Sequence, residues 1–193
     1  MKRLITPLVL AALMLSASTG LAVPIRYAVN LTGAAENPSN NSPGTGNAVV
    51  IIDTDANTLF IQASFSGLVA NTSDAHIHCC VAPPGNVAVA VPGVGALPGF
   101  PLGVTSGTYQ NTLNTEATTT YRPAFLTNNG GTGAGAEAAL AAGLASGQAY
   151  FNIHSSQFPG GEIRGFLQRV AEPSALLLLG LGALLTGLVS QRK

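Results

Sequence analysis

The chain contains no tryptophan, only two cysteines, and only eight basic and eight acidic residues among 193. Lysine occurs at Lys2 and Lys193 alone, so residues 23–169 have none. That stretch carries Arg26, Arg122, Arg164 and Arg169 against seven carboxylates, a formal charge of −3. A basic footprint for a phosphate backbone is missing, which excludes nucleic acid as a partner. Two cysteines exclude a small disulfide-dense scaffold. Low net charge combined with many β-branched residues excludes an intrinsically disordered chain. There is also no phosphate-cradling glycine loop, no pair of acid/base carboxylates and no nucleophile marked by a neighbouring base. The chain therefore reads as a non-enzyme.

Long apolar runs occur only at the two ends. Lys2 and Arg3 precede a short apolar stretch, Leu8 to Leu15, and Gly20-Leu21-Ala22 supplies small residues for a signal peptidase. Residues 1–22 are expected to be a signal peptide, cut between Ala22 and Val23. At the other end Glu172-Pro173-Ser174 leads into a Leu/Ala/Gly/Val run that stops at Gln191-Arg192-Lys193. A transmembrane helix is expected over 174–190, about 17 residues or roughly 26 Å, enough to cross a hydrocarbon core. Its basic end belongs on the cytoplasmic side, which leaves the rest of the chain outside. The segment 170–193 resembles the PEP-CTERM sorting signal of exopolysaccharide-producing Gram-negative bacteria. That resemblance implies an exosortase-like processing enzyme cutting near Glu172, Pro173 and Ser174, with delivery to the cell surface or a biofilm matrix. Ala171 stands where the pattern has its first proline. An ordinary membrane anchor gives the same topology without cleavage.

Residues 23–169 have the length of one domain with a real core. Its patterns are mostly those of strands. Ile25 to Thr32 alternates, and Asn47 to Asp53 and Thr58 to Gly67 form a hairpin around Asp53-Thr54-Asp55-Ala56-Asn57. Asp74 to Cys79, Thr105 to Leu113, Gln148 to Ile153 and Glu162 to Gln168 complete the set. One helix is expected over Gly135 to Leu144, with a shorter helical turn at Pro123 to Asn128. Short strands separated by turn signals predict a mainly β fold, an antiparallel β-sandwich or barrel-like domain with one short helix.

An ordered set of motifs then stands out: Gly33-Ala34-Ala35-Glu36-Asn37-Pro38, Phe65-Ser66-Gly67-Leu68, Ala75-His76-Ile77-His78, and Tyr150-Phe151-Asn152-Ile153-His154 followed by Pro159-Gly160-Gly161-Glu162-Ile163-Arg164-Gly165. Together they resemble the CHRD domain, named from chordin and also found singly in secreted bacterial proteins. The resemblance implies an extracellular β domain with an interaction role. The expected partner is an extracellular protein or polysaccharide.

All three histidines lie in these motifs. In a strand, positions i and i+2 share a face, so His76 and His78 converge, and His154 from a second strand offers a third imidazole. Three imidazoles suit copper or zinc, giving an alternative reading as a small metalloprotein with a redox or hydrolytic role. No other cofactor is expected. The plainer alternative is that the rings pack on the sheet and hydrogen-bond across strands, to Glu162 or Asn152. Cys79 and Cys80 follow directly. In an oxidising space they form a vicinal disulfide, act as thiolate donors beside the histidines, or bridge to another molecule. Asp53 and Asp55 are too few oxygens for calcium and are expected to close the hairpin. The segment Val87 to Val104 is apolar yet crowded with Pro and Gly, so it covers a sheet edge, packs on the core or meets a partner.

Overall fold

The structure, a computed structural model, describes residues 23–171. The expected signal peptide with Ala22, the sorting motif Glu172-Pro173-Ser174 and the helix expected over 174–190 lie outside the described residues. Among the described residues, no helix is long and apolar enough to cross a membrane.

The first three strands form an antiparallel meander: β1 (Ile25–Thr32), β2 (Thr45–Asp53) and β3 (Thr58–Ser66). Their pleat sorts side chains with period 2. Ala48, Val50 and Ile52 of β2 and Leu59, Ile61, Ala63 and Phe65 of β3 point into the core. Asp53 pairs with Thr58 at the end of the hairpin. Its Oδ1 accepts from the amides of Asp55 and Ala56, each at 3.0 Å, the side-chain closure expected of this turn.

The remaining strands are β4 (Thr72–Cys79), β5 (Val89–Val91), β6 (Gly107–Asn114), β7 (Ala149–Ser155), β8 (Ile163–Phe166) and β9 (Gln168–Arg169). Among the described residues all pairings are antiparallel, and the nine strands make one sheet in the order β5-β4-β7-β8-β1-β2-β3-β6, with β9 on β1. The sheet curls into a half-barrel around its core rather than splitting into two facing layers. Of the two architectures expected, the barrel-like one is the closer. The strand expected over Glu162 to Gln168 is broken at Leu167, whose buried side chain joins the core while its amide reaches Ala149 O at 2.9 Å.

Between β6 and β7 stand the helical turn expected at Pro123 to Asn128 and the one longer helix expected over Gly135 to Leu144. The first, α1 (Pro123–Asn128), is started by its proline, whose missing N–H is no loss in a first turn. The second, α2 (Gly133–Ala145), is capped by Thr132, whose side chain accepts from Gly135 N at 3.1 Å. It stops at Gly147, where φ is +68°, and Gly147 N and Gln148 N close on Leu144 O and Gly143 O. Ala136, Leu140, Gly143 and Leu144 form its buried face. Gly143 meets the disulfide that joins Cys79 to Cys80: a Cβ there would lie 2.2 and 2.3 Å from the two sulfurs.

The apolar segment 87–104 both covers and closes. It contributes β5 to the edge of β4, and Ala90, Val91, Leu97 and Phe100 are buried. Leu97 N donates to Ala75 O, Gly103 N to Thr72 O, and Thr72 N to Val104 O. The segment thus runs along the side of β4 and then delivers the chain to β6 at the far end of the sheet. Val94 remains 80% exposed.

The two ends of the described chain lie side by side. Tyr27 pairs with Arg169 and Ala28 with Gln168, and Val170 N donates to Arg26 O at 2.9 Å.

Candidate functional site

The polar residues of the family-like motifs meet on the face of β4, β7 and β8 opposite to the core. Ala75, Ile77 and Cys79 of β4 are core residues, so Asp74, His76 and His78 face the other way. The register then sets their neighbours. Asp74 lies opposite His154, His76 opposite Asn152 and His78 opposite Tyr150, while Asn152 continues to Arg164 on β8. This face is buried as well, because loops fold over it: His76, His78 and His154 are only 5%, 8% and 8% exposed.

One ring nitrogen from each of the three histidines lies within 4.8 Å of the other two. His76 Nδ1 is 3.1 Å from His154 Nε2. Each ring also presents a nitrogen to a loop carbonyl: His76 Nε2 to Gly95 O at 3.0 Å, His78 Nδ1 to Val87 O at 2.8 Å, and His154 Nδ1 to Pro159 O at 2.9 Å. These carbonyls, rather than Glu162 or Asn152, are the hydrogen-bond partners of the rings. Asp74 Oδ1 lies 2.9 Å from His76 Nε2 without the alignment of a hydrogen bond, as Oδ1 has no such partner. His78 stacks on Tyr150 with centroids 4.5 Å apart, and the Arg164 guanidinium lies over the Tyr150 ring at 4.8 Å. Burial pushes His76 and His78 down to about 4 and His154 also below its ordinary value, so all three are neutral near pH 7.

A second network adjoins the first. Arg164 is buried and reaches Ala35 O at 2.6 Å, Asn86 Oδ1 at 2.5 Å and Pro84 O at 2.9 Å, which ties two loops to the sheet. Glu36 Oε2 is 3.7 Å from its Nε. Burial raises Glu36 to about 7, partly offset by Arg164. Glu162 has other partners: its Oε1 accepts from Ser42 Oγ and Val69 N, each at 2.6 Å. Glu162 and Arg164 therefore serve separate loops.

Cys79 and Cys80 are bonded to each other, across a cis peptide with Cα atoms 3.0 Å apart. Their sulfurs are occupied there and packed on α2, away from donor service to the histidines. Several contributors escaped the sequence reading: Asp74, Arg122, and the carbonyls of Val87, Gly95 and Pro159. Asp74 could have been found, since Asp74, His76 and His78 share the alternation of one strand. Arg122, whose Nη2 donates to Gly95 O at 3.0 Å and lies 3.4 Å from His76 Nε2, left no such signal.

No curated protein and no solved structure matches the chain. The motifs that build this face are nonetheless those of a described family: residues 27–167 match the CHRD domain, and the chain belongs to the CHRD domain family.

Proposed function

We propose that the chain is an exported, non-enzymatic binding module of the cell surface or matrix, and that its ligand is a neutral polysaccharide. Membership of the CHRD family supports an extracellular-type binding or structural role. The PEP-CTERM-like tail supports delivery to the surface by an exosortase-like enzyme, with the membrane as a transient or lasting anchor.

The observation that carries the choice of ligand is the outer face of β2, β3 and β6. Asn47, Ser64 and Thr108 align across the three strands, and Val49, Gln62 and Gln110 form the next row. Asn47, Gln62, Thr108 and Gln110 are exposed, and Asn47 Nδ2 donates to Ser64 Oγ at 2.8 Å. The two rows carry amides and hydroxyls but no charge. Such groups both donate and accept, as sugar hydroxyls do, and offer nothing to an ionic partner.

Co-sedimentation of the purified protein with the exopolysaccharide of its producing cells tests this. The triple substitution Asn47→Ala, Gln62→Ala, Gln110→Ala is expected to weaken binding on the order of 100-fold, at about 1 kcal/mol per lost hydrogen bond. Unchanged binding removes this face from the proposal. Absence of polysaccharide binding, with cross-linking to a surface protein instead, replaces the ligand class.

A further inference from the structure

The loop carbonyls around the three histidines dictate where the ring hydrogens sit. A carbonyl oxygen can only accept, so each nitrogen facing one must carry the hydrogen: Nε2 of His76, Nδ1 of His78 and Nδ1 of His154. A neutral imidazole has one N–H. The remaining nitrogens, His76 Nδ1, His78 Nε2 and His154 Nε2, are therefore lone pairs. His76 Nδ1 and His154 Nε2 then stand 3.1 Å apart as acceptor against acceptor. His78 Nε2 is buried with no hydrogen-bond partner among the described residues. An unserved buried acceptor forfeits its hydration without replacement, so three converging ones form a costly arrangement for a protein to keep without a cation.

The alternative hydrogen placements resolve less. Turning His76 so that Nδ1 donates to His154 leaves its Nε2 lone pair against Gly95 O and Asp74 Oδ1, with only Arg122 Nη2 at 3.4 Å to offset them. A shared proton between His76 and His154 serves two nitrogens and leaves His78 Nε2 unserved.

We propose that His76 Nδ1, His78 Nε2 and His154 Nε2 bind one zinc or copper ion, with the three loop carbonyls holding the rings in the ligating tautomer. The donor chemistry fits: imidazole nitrogen suits zinc and copper and not the hard cations magnesium and calcium. Metal–nitrogen bonds of about 2.0–2.1 Å in tetrahedral geometry place ligand nitrogens ~3.3 Å apart; His76 Nδ1 and His154 Nε2 stand at 3.1 Å, and the three histidines' ligand atoms lie within 4.8 Å of one another, so a small inward shift of His78 completes the set. Carbonyls on the distal ring nitrogens are the usual orienting partners of metal-bound histidines. Two of these carbonyls, Val87 O and Gly95 O, come from the apolar segment 87–104, which gives that segment a positioning role beyond covering the sheet. Three protein donors leave a fourth position for water or another small ligand. Asp74 lies beside the site, while Arg122 and Arg164 are the cationic groups nearest to it.

The test uses the purified full-length protein, stripped by chelator, reloaded with zinc or copper salt and dialysed. One ion per chain by elemental mass spectrometry is expected, with a higher melting temperature than the stripped form. His78→Ala is expected to lower affinity by more than the roughly 10–100-fold that loss of an orienting partner causes; Asp74→Asn should stay within that range. The Asn47, Gln62, Gln110 triple variant should bind metal normally, which separates this proposal from the polysaccharide reading. Well under one ion per chain with both metals overturns it, as does full metal retention in His78→Ala. Should that variant not fold, X-ray absorption of the loaded native protein counts the imidazoles directly; fewer than three around the metal also overturns it.

Discussion

Burial sets opposite pH demands on two neighbouring groups. His76 and His78 are held down to about 4, against 6.5 when free, so the unfolded chain takes up protons that the folded chain refuses. Their contribution is complete above pH 6.5 and is lost as pH falls toward 4. Glu36, raised to about 7, works the other way: its contribution is complete below 4.5 and is lost as pH rises through 7. With chelator present, stability is expected to crest near neutrality and to fall by on the order of 3 kcal/mol between pH 6.5 and 4, measured by urea denaturation. A flat profile across that window contradicts the buried neutral histidines. At this scale the sequence told half the story. His76 and His78 were legible as a convergent pair because strand alternation is local. The hydrogens that make them acceptors were not, because Gly95 O, Val87 O and Pro159 O reach them from loops whose backbone no pattern reveals.

Among the elements, α2 depends on one missing side chain. Gly143 lies against both sulfurs of the Cys79–Cys80 bridge, and neither sulfur can swing aside because each is bonded to the other. Gly143→Val should cost about 1–3 kcal/mol through overpacking, even though valine disturbs a helix less than glycine itself does. Guanidinium denaturation of the variant checks this, and a gain in stability would show that α2 does not press on the bridge. Helix and hairpin were well read from sequence: α2 has a threonine cap and a glycine stop, and β2–β3 alternates around an aspartate turn. The three-residue β5 was hidden inside Val87 to Val104, since a run so short carries no period. Of the two glycines near the end of α2, Gly147 terminates the helix and Gly143 makes room for the bridge.

On the scale of the whole molecule, the order of strands was the least legible property. Local alternation shows which face of a strand is buried, but β4 beside β7 and β8 beside β1 are pairings across long stretches of chain. A sandwich and a curled single sheet present the same alternation, and only the pairing order separates them. The two long apolar runs outside residues 23–169 predict export, and membership of the CHRD family is consistent with it. The exported form is expected to begin at Val23 and, with exosortase-like processing, to end near Glu172-Pro173-Ser174. Intact mass of the surface fraction measures both ends together. A mass that retains Gln191-Arg192-Lys193 identifies a plain anchor in place of the sorting signal.

The pairing of β9 with β1 has a mechanical consequence. Under the proposed function, a domain gripping a ligand on the face of β2, β3 and β6 while its tail is held at a membrane would be under tension. The tail departs from a strand of only two residues, and its outermost hydrogen bond is Val170 N to Arg26 O. Pulled away from β1, these bonds open one after another instead of sharing the load. Releasing residues 168–171 lengthens the tether by ~14 Å at full extension, while the longer pairings of β1, β2 and β3 stay closed. In that setting the two-residue junction would yield before the core, so a tugged module would give slack while keeping its grip.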